Sequence, residues 1–382
     1  MRVTDVETFL VAPRWMFVKV STDAGVHGWG EGGLEGAADV TAAAVAVLAE
    51  HLVGADPRRI EDHWQRLTNG GFYRGGPERS SAVAALDQAL WDIAGRRHGV
   101  PVHELLGGPV RDRVRVYGWI GGDSPYDVAA AAAVQREAGM TAVKMNASAQ
   151  LPPIPSAGEV AAVADRARQV RAALGPERDF AVDFHGRVGV AAAPRLIEAL
   201  EPFTPLFIEE PVLPEHNHTN LRRLVEGTSL PIATGERLFS RSDFLPVLQA
   251  GVRVVQPDLA HAGGISEVRR IAALAETFGA VLAPHCPLGP LALAACLQID
   301  FATPNFLVQE QSLGIHYNRT AELLDYVLNP EVFTFTDGHI ARPTGPGLGV
   351  EMDEEAVRRA HARGGQWRTP VWTHADGSFA EW

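Results

Sequence analysis

FAVDFH (180–185), PLFIEE (205–210), PIATGE (231–236), VVQPD (254–258), VLAPH (281–285) and FLVQE (306–310) are six short apolar runs, each closed by a carboxylate or an imidazole. Runs this short read as strands rather than independent helices, and longer helix-patterned segments follow several of them. The closing residues recur roughly every 22 to 27 residues, the length of one strand–helix unit. A (β/α)8 barrel builds its active site in this way, from side chains at the carboxyl ends of successive parallel strands. One acidic strand end carries little information. Six in register define a site.

Working outward, VRVYGWI (114–120) and TAVKMN (141–146) supply two further runs, which makes eight, the count a closed barrel needs. Residues 1–112 read differently. VTDVETFLVA and MFVKVSTDAG are strand-like, and Asp23-Ala-Gly25 turns the second into a third, VHGWGE. Helices are expected over about 37–52, after Pro57, and over about 78–97, where Val83, Leu86, Leu90 and Ile93 share one face. Strands first and helices after make an α+β domain. From residue 321 the chain reverts to mixed structure with a Gly/Pro segment, RPTGPGLGVE, expected to leave the barrel and pack on the first domain. The expected architecture is therefore α/β: a modified (β/α)8 TIM barrel over 113–320, an α+β capping domain over 1–112, and a C-terminal segment, 321–382, that completes the cap.

Composition narrows the function classes. The 382 residues are 46% hydrophobic and 21% charged, an ordinary globular balance. A net charge of −12 without a dense Lys/Arg stripe argues against nucleic acid and for a small-molecule partner. Two cysteines, Cys286 and Cys296, make neither a disulfide framework nor a zinc cluster. The opening MRVTDVETFLVAPRW lacks the basic-then-apolar pattern of a signal peptide, and the most apolar stretch, 281–297, is interrupted by His285 and three prolines. The expectation is a cytoplasmic protein with no membrane partner.

Numbered along the barrel, the second strand carries Lys144 and Asn146, the third ends in Asp183 and His185, and the fourth and fifth bring Glu209 and Glu236. Asp258, His285 and Glu310 follow on the sixth, seventh and eighth. Three carboxylates on adjacent strands suit a hard cation such as Mg2+, whereas zinc would recruit His or Cys. Asp183 and His185, two residues apart, share a face if the strand stays extended. Asp258 beside His285 fixes the tautomer of the imidazole and raises its basicity, so the pair reads as a general base. The third and seventh strands lie across a barrel from each other, so His185 and His285 flank a substrate from opposite sides. Base on one side and acid on the other is a layout for β-elimination.

That ordered constellation resembles the enolase superfamily, mandelate racemase subgroup. More narrowly, the chain is similar over nearly its whole length to the sugar-acid dehydratases of that subgroup that act on D-galactonate. The stretches PRWMF, FYRGGP, DQALWDI, DFHGR, LFIEEPV, GERLFSR, QPDLAHAGGI, APHCPLGPLALAACL, EQSLGIHYN and the closing EW carry the likeness. It implies a Mg2+ site at Asp183, Glu209 and Glu236, His285 as base supported by Asp258, and His185 as general acid. Glu310 becomes the group that hydrogen-bonds the enediolate. Lys144 and Asn146 are implied substrate contacts. Capping-domain loops reach the substrate in this superfamily, so Arg14, Trp15 and Arg74 are expected at its distal hydroxyls, with the glycine-flanked 70–76 segment as a lid. A homo-oligomer is also implied.

Departures from the other subgroups sharpen the reading. The amide of Asn146 cannot act as the second base of a racemase, and Asp258 stands where the muconate-lactonising enzymes need a Lys. VRVYGWI lacks the HxH of a metal-dependent hydrolase, and His216-Asn-His218 reads as polar loop rather than metal site. The rivals are a dehydratase for another aldonate and a non-catalytic sugar-acid-binding protein of the same fold.

Overall fold

β1 (Val3–Val11), β2 (Trp15–Thr22) and β3 (His27–Glu31) pair antiparallel in that order. This computed structural model describes residues 1–120, 128–148, 150–213, 218–315, 318, 320–364, 367–374 and 376–380. Three helices pack with the sheet: α1 (Ala38–Ala49), α2 (Ile60–Asn69) and α3 (Pro77–His98). The α3 stripe of Val83, Leu86, Leu90 and Ile93 joins Met16, Val18 and Val20 in one buried cluster. α3 also lies directly on β3, where glycine permits it. A Cβ at Gly28 or Gly30 would meet the carbonyl oxygens of Ala89 and Ala85 at 2.2 and 2.1 Å. α2 begins at Ile60, after Pro57 as expected, although Pro57, suited to a first helical turn, lies outside it. The Asp56 carboxylate accepts the backbone N–H of Arg58, and its carbonyl accepts that of Arg59, so the chain turns before the helix starts.

After a short α4 (Val102–Leu105) come β4 (Arg113–Trp119), α5 (Val128–Glu137), β5 (Ala142–Asn146), α6 (Ala157–Leu174), β6 (Asp179–Asp183) and α7 (Ala193–Leu200). The alternation continues with β7 (Ile208–Glu209), α8 (His218–Glu226), β8 (Ile232–Thr234), α9 (Arg241–Gln249), β9 (Val254–Val255), α10 (Gly264–Thr277), β10 (Val281–Leu282), α11 (Pro290–Ala302) and β11 (Gln309–Glu310). β4 to β10 are hydrogen-bonded in order, and β11 returns to pair with β4, Glu310 opposite Tyr117. A parallel bridge from Leu282 to Phe306 joins the two ends and closes the barrel. A buried cluster in its interior takes a side chain from each of the eight strand runs: Tyr117, Ala142, Ala181, Phe207, Ala233, Val254, Ala283 and Val308. The paired segments are shorter than the apolar runs predict. Pro231, Pro257 and Pro284 lack an N–H, so ladders that include them end early.

The C-terminal segment divides its contacts. β12 (Phe335–Thr336) and β13 (His339–Ala341) form a hairpin whose second strand pairs antiparallel with Arg113–Arg115 of β4. This part stays on the barrel, contrary to the expectation that the whole segment leaves it. The reason is register: β11 and β5 pair only with residues 116–119 of β4, which leaves its first residues an edge to fill. α12 (Glu354–Arg363) does return to the cap, where Lys19 meets Glu354 at 2.7 Å and Arg358 meets Glu7 at 2.9 Å. A last hairpin, β14 (Trp372–Thr373) with β15 (Phe379–Ala380), follows. Among the described residues no helix is long and apolar enough to cross a membrane.

Candidate active site

A cavity of about 1150 Å3 opens over the carboxyl ends of the barrel strands. Lys144, Asn146, Asp183, His185, Glu236, His285 and Glu310 all line it. Parallel register sets Asp183 opposite Glu209, and Glu236 follows two residues beyond β8. One ligand atom from each of Asp183, Glu209 and Glu236 lies within 4.8 Å of the others. Glu209 is held at both oxygens, by Lys144 Nζ at 2.7 Å and by Gln256 Nε2 at 2.7 Å. Lys144 Nζ also stands 2.9 Å from Glu310 Oε1.

Charge in this cluster is unbalanced in a way that a cation answers. Burial, with repulsion from the neighbouring carboxylates, pushes Asp183 up to about 7 and Glu209 up to about 8. Burial opposes the charge of Glu236 too, but nearby positive charge, His285 first, outweighs it and holds it at about 2. For Lys144, burial is likewise overcome, here by Glu209 and Glu310, and its ammonium stays charged well above the usual range. Asp183 Oδ2 is buried and makes no aligned hydrogen bond, with His185 Nε2 a polar neighbour at 3.0 Å. An all-oxygen set of three converging carboxylates, one oxygen of it without an aligned hydrogen bond, fits a hard divalent cation.

The two histidines arrive differently. His285 Nδ1 lies 2.8 Å from Asp258 Oδ2, and Asp258 Oδ1 accepts the N–H of Ala260 at 2.6 Å. With its Nδ1 proton given to Asp258, the imidazole presents Nε2, which stands 3.3 Å from Glu236. Burial disfavours the charged ring, but Glu310, Glu236 and Asp258 outweigh that and raise it well above its ordinary value. Glu310 Oε2 accepts the N–H of Cys286 at 3.0 Å, which ties the eighth strand to the residue after His285.

His185 is not on an extended strand, as the spacing predicts. β6 ends at Asp183, and His185 has φ of 51° in the turn beyond. Asp183 Oδ1 accepts its backbone N–H at 2.7 Å, and that bond draws the chain into the turn. The ring nevertheless reaches the site, with Nε2 3.0 Å from Asp183 Oδ2 and its edge against Trp119. Burial pushes it down to about 3, so the substrate-free ring is uncharged at neutral pH.

The expected distal contacts separate. Arg14 lines the cavity, its Nη2 2.8 Å from Pro287 O and 3.2 Å from Glu35 Oε1. Trp15 does not line it. That ring is fully buried in the core against Phe17 and Tyr326, because β2 points it inward. Arg74 is exposed and donates from Nε to Gly71 O at 3.2 Å, within its own loop, whose Phe72 and Tyr73 also face solvent. His216 lies outside the described residues, and His218 opens α8. Sequence reasoning missed Glu35, His261, Trp367 and Trp372, all of which line the cavity. His261 had a signal, its place three residues after Asp258. The two tryptophans had none, since they come from the C-terminal segment.

The chain matches the mandelate racemase / muconate lactonizing enzyme N-terminal domain over residues 5–107 and the enolase C-terminal domain-like family over 127–356. It is 55% identical to a D-galactonate dehydratase of Ralstonia nicotianae and 52% identical to one of Xanthomonas axonopodis, across 100% of each chain. Among solved structures it is similar to an enolase from Agrobacterium radiobacter bound to Na and L-malate, at TM-score 0.91 and 34% identity over 100% of both chains. A mandelate racemase/muconate lactonizing enzyme from Jannaschia sp. aligns at TM-score 0.87 and 32% identity, covering 97% of this chain and 99% of that one.

Proposed function

Because the chain belongs to the enolase superfamily, with the N-terminal and C-terminal bodies of its mandelate racemase / muconate lactonizing branch in one polypeptide, we infer that it dehydrates D-galactonate to 2-dehydro-3-deoxy-D-galactonate and water. It is a hydro-lyase of the acid-sugar dehydratase class. The observation that carries the reading is the convergence of Asp183, Glu209 and Glu236 at a cavity lined by Asp183, Glu236, His185 and His285, with Asp258 bonded behind His285.

Asp183, Glu209 and Glu236 would hold Mg2+. When bound, that ion supplies a Lewis acid for the substrate carboxylate, which acidifies the neighbouring α-proton. His285 takes the α-proton at Nε2 once a cation on Glu236 offsets the carboxylates that otherwise keep the ring charged, with Asp258 holding Nδ1–H and stabilising the imidazolium that forms. Lys144 and Glu310 stand where negative charge grows on the carboxylate oxygens of the enediolate. His185 delivers a proton to the departing β-hydroxyl, which leaves as water. The resulting enol gains a proton at the β-carbon and becomes the 2-keto acid. The substrate-free His185 is uncharged, so it has to take up a proton before it can serve as the acid. Asn146 and Arg14 orient the bound chain of hydroxyls.

An aldonate and aldarate panel scored for 2-keto acid formation tests the reading, with D-galactonate expected to give the highest kcat/KM. Aldarates belong in the panel because the Agrobacterium relative binds L-malate, a dicarboxylate. Tight sugar-acid binding without any keto acid would make the protein a binder instead.

A further inference from the structure

His185 sits in a turn that histidine does not adopt without support. The Arg187 N–H donates to Phe184 O at 3.0 Å, and both residues between them have positive φ, His185 at 51° and Gly186 at 66°. Glycine takes that conformation freely, and a Cβ on Gly186 would also meet the Leu213 side chain at 2.7 Å. Histidine takes it at a cost, so contacts beyond the turn decide whether it persists. The backbone N–H of His185 goes to Asp183 Oδ1 at 2.7 Å, and its carbonyl oxygen accepts from Arg237 Nη2 at 2.9 Å. Both polar backbone groups of His185 are thus held by side chains.

Arg237 closes a ring of bonds through the ends of three adjacent strands. The Gly186 N–H, in the turn beyond β6, donates to Glu210 O at 2.8 Å. Glu210 follows β7 with φ of 43°, and its Oε1 accepts the N–H of Gly235 at 3.1 Å and the hydroxyl of Thr234. Arg237, three residues beyond β8, then returns to the carbonyl of His185. Nε of the same guanidinium stands 3.7 Å from Glu236 and 3.8 Å from Glu210. Those carboxylates orient the planar fork while its Nη2 donates to the carbonyl, a pairing that the single point charge of a lysine does not reproduce.

We propose that Arg237 is a positioning residue for the acid: by bonding the His185 carbonyl it holds the left-handed turn that brings the imidazole to Asp183 and Trp119. This rests on His185 being the acid. The fifth strand end then serves two steps, with Glu236 in the proposed metal site and Arg237 behind the proton donor. Arg237 also lines the cavity next to Glu236, so a substrate contact and an effect on the metal are the rivals. Either rival acts on every substrate alike. A misplaced acid matters only where the leaving group needs a proton.

The test measures Arg237→Gln, Arg237→Lys and His185→Asn on D-galactonate and on its 3-fluoro analogue, each protein checked for native Tm and bound Mg2+. Arg237→Gln is expected to lower kcat for dehydration about 10- to 100-fold, with KM within about twofold. Fluoride release by the same variant should stay within about threefold of native. Arg237→Lys keeps the charge beside Glu236 but not the fork, and should show the same selective loss, smaller in size. A native kcat on D-galactonate, an equal fall on both substrates, or a change confined to KM would each overturn the proposal. If Arg237→Gln does not fold or does not bind the metal, Arg237→Lys decides by the same three outcomes. Selective loss in His185→Asn with none in Arg237→Gln defeats this inference alone. His185→Asn equally impaired on both substrates defeats the assignment of the acid as well.

Discussion

At the scale of single residues, the two histidines make separable claims. His285→Asn removes the proposed base, so dehydration and exchange of the α-proton with deuterated solvent should both fall by about 10²- to 10⁴-fold. His185→Asn should stop dehydration of D-galactonate yet still eliminate fluoride from a 3-fluoro analogue, whose leaving group needs no acid. A folded, metal-loaded His185→Asn equally dead on both substrates would contradict that division of labour. Residue chemistry was the most legible layer of the sequence, because Asp183, Glu209, Glu236, Asp258, His285 and Glu310 each end an apolar run. Spacing said less about orientation. His185 reaches Asp183 through a turn with φ of 51°, not along a strand, since the Asp183 carboxylate captures the next backbone N–H but one. Trp15 was misplaced for a related reason: next to Arg14 in sequence, it points the opposite way from the same strand start.

Elements were legible in kind and order, less so in extent. The apolar runs gave eight strands, and the prolines that trim their ladders were visible but hard to weigh. Contacts between distant elements were not legible at all. β3 meets the start of α11 through Glu31, which accepts the N–H groups of Gly289 and Ala292 at 2.8 and 3.0 Å. That bond anchors the loop between His285 and α11 to the cap. Burial raises the Glu31 carboxyl from 4.5 to about 8, despite the backbone N–H groups that oppose the shift. A raised folded value means that the group's contribution to stability is full below about 4.5 and is lost as pH climbs toward about 8. Glu31→Gln does not titrate. Its Tm should therefore gain on the native protein across that window, by an amount on the order of a few kcal/mol in stability. Parallel Tm curves for the two proteins would show that Glu31 is not held in this state.

For the molecule as a whole, cap and barrel meet over the site, and several functions cross between them. Arg14 and Glu35 from the cap line the cavity, α3 grips the segment after Asp258, and Trp367 and Trp372 arrive from the far end of the chain. The sequence announced two bodies through the change from strands-then-helices to alternation, but nothing local in it told which cap residues face the barrel. What unites the arrangement is the charge at its centre: three carboxylates whose oxygens crowd within 4.8 Å, with Lys144 as the cation beside them. The account requires a divalent ion there, and the most direct measurement is metal content together with turnover of D-galactonate before and after chelation. Metal and keto-acid formation should vanish together in EDTA and return together when Mg2+ is added to the dialysed protein. Full turnover in excess EDTA, with no bound metal detected, would contradict the account at its centre.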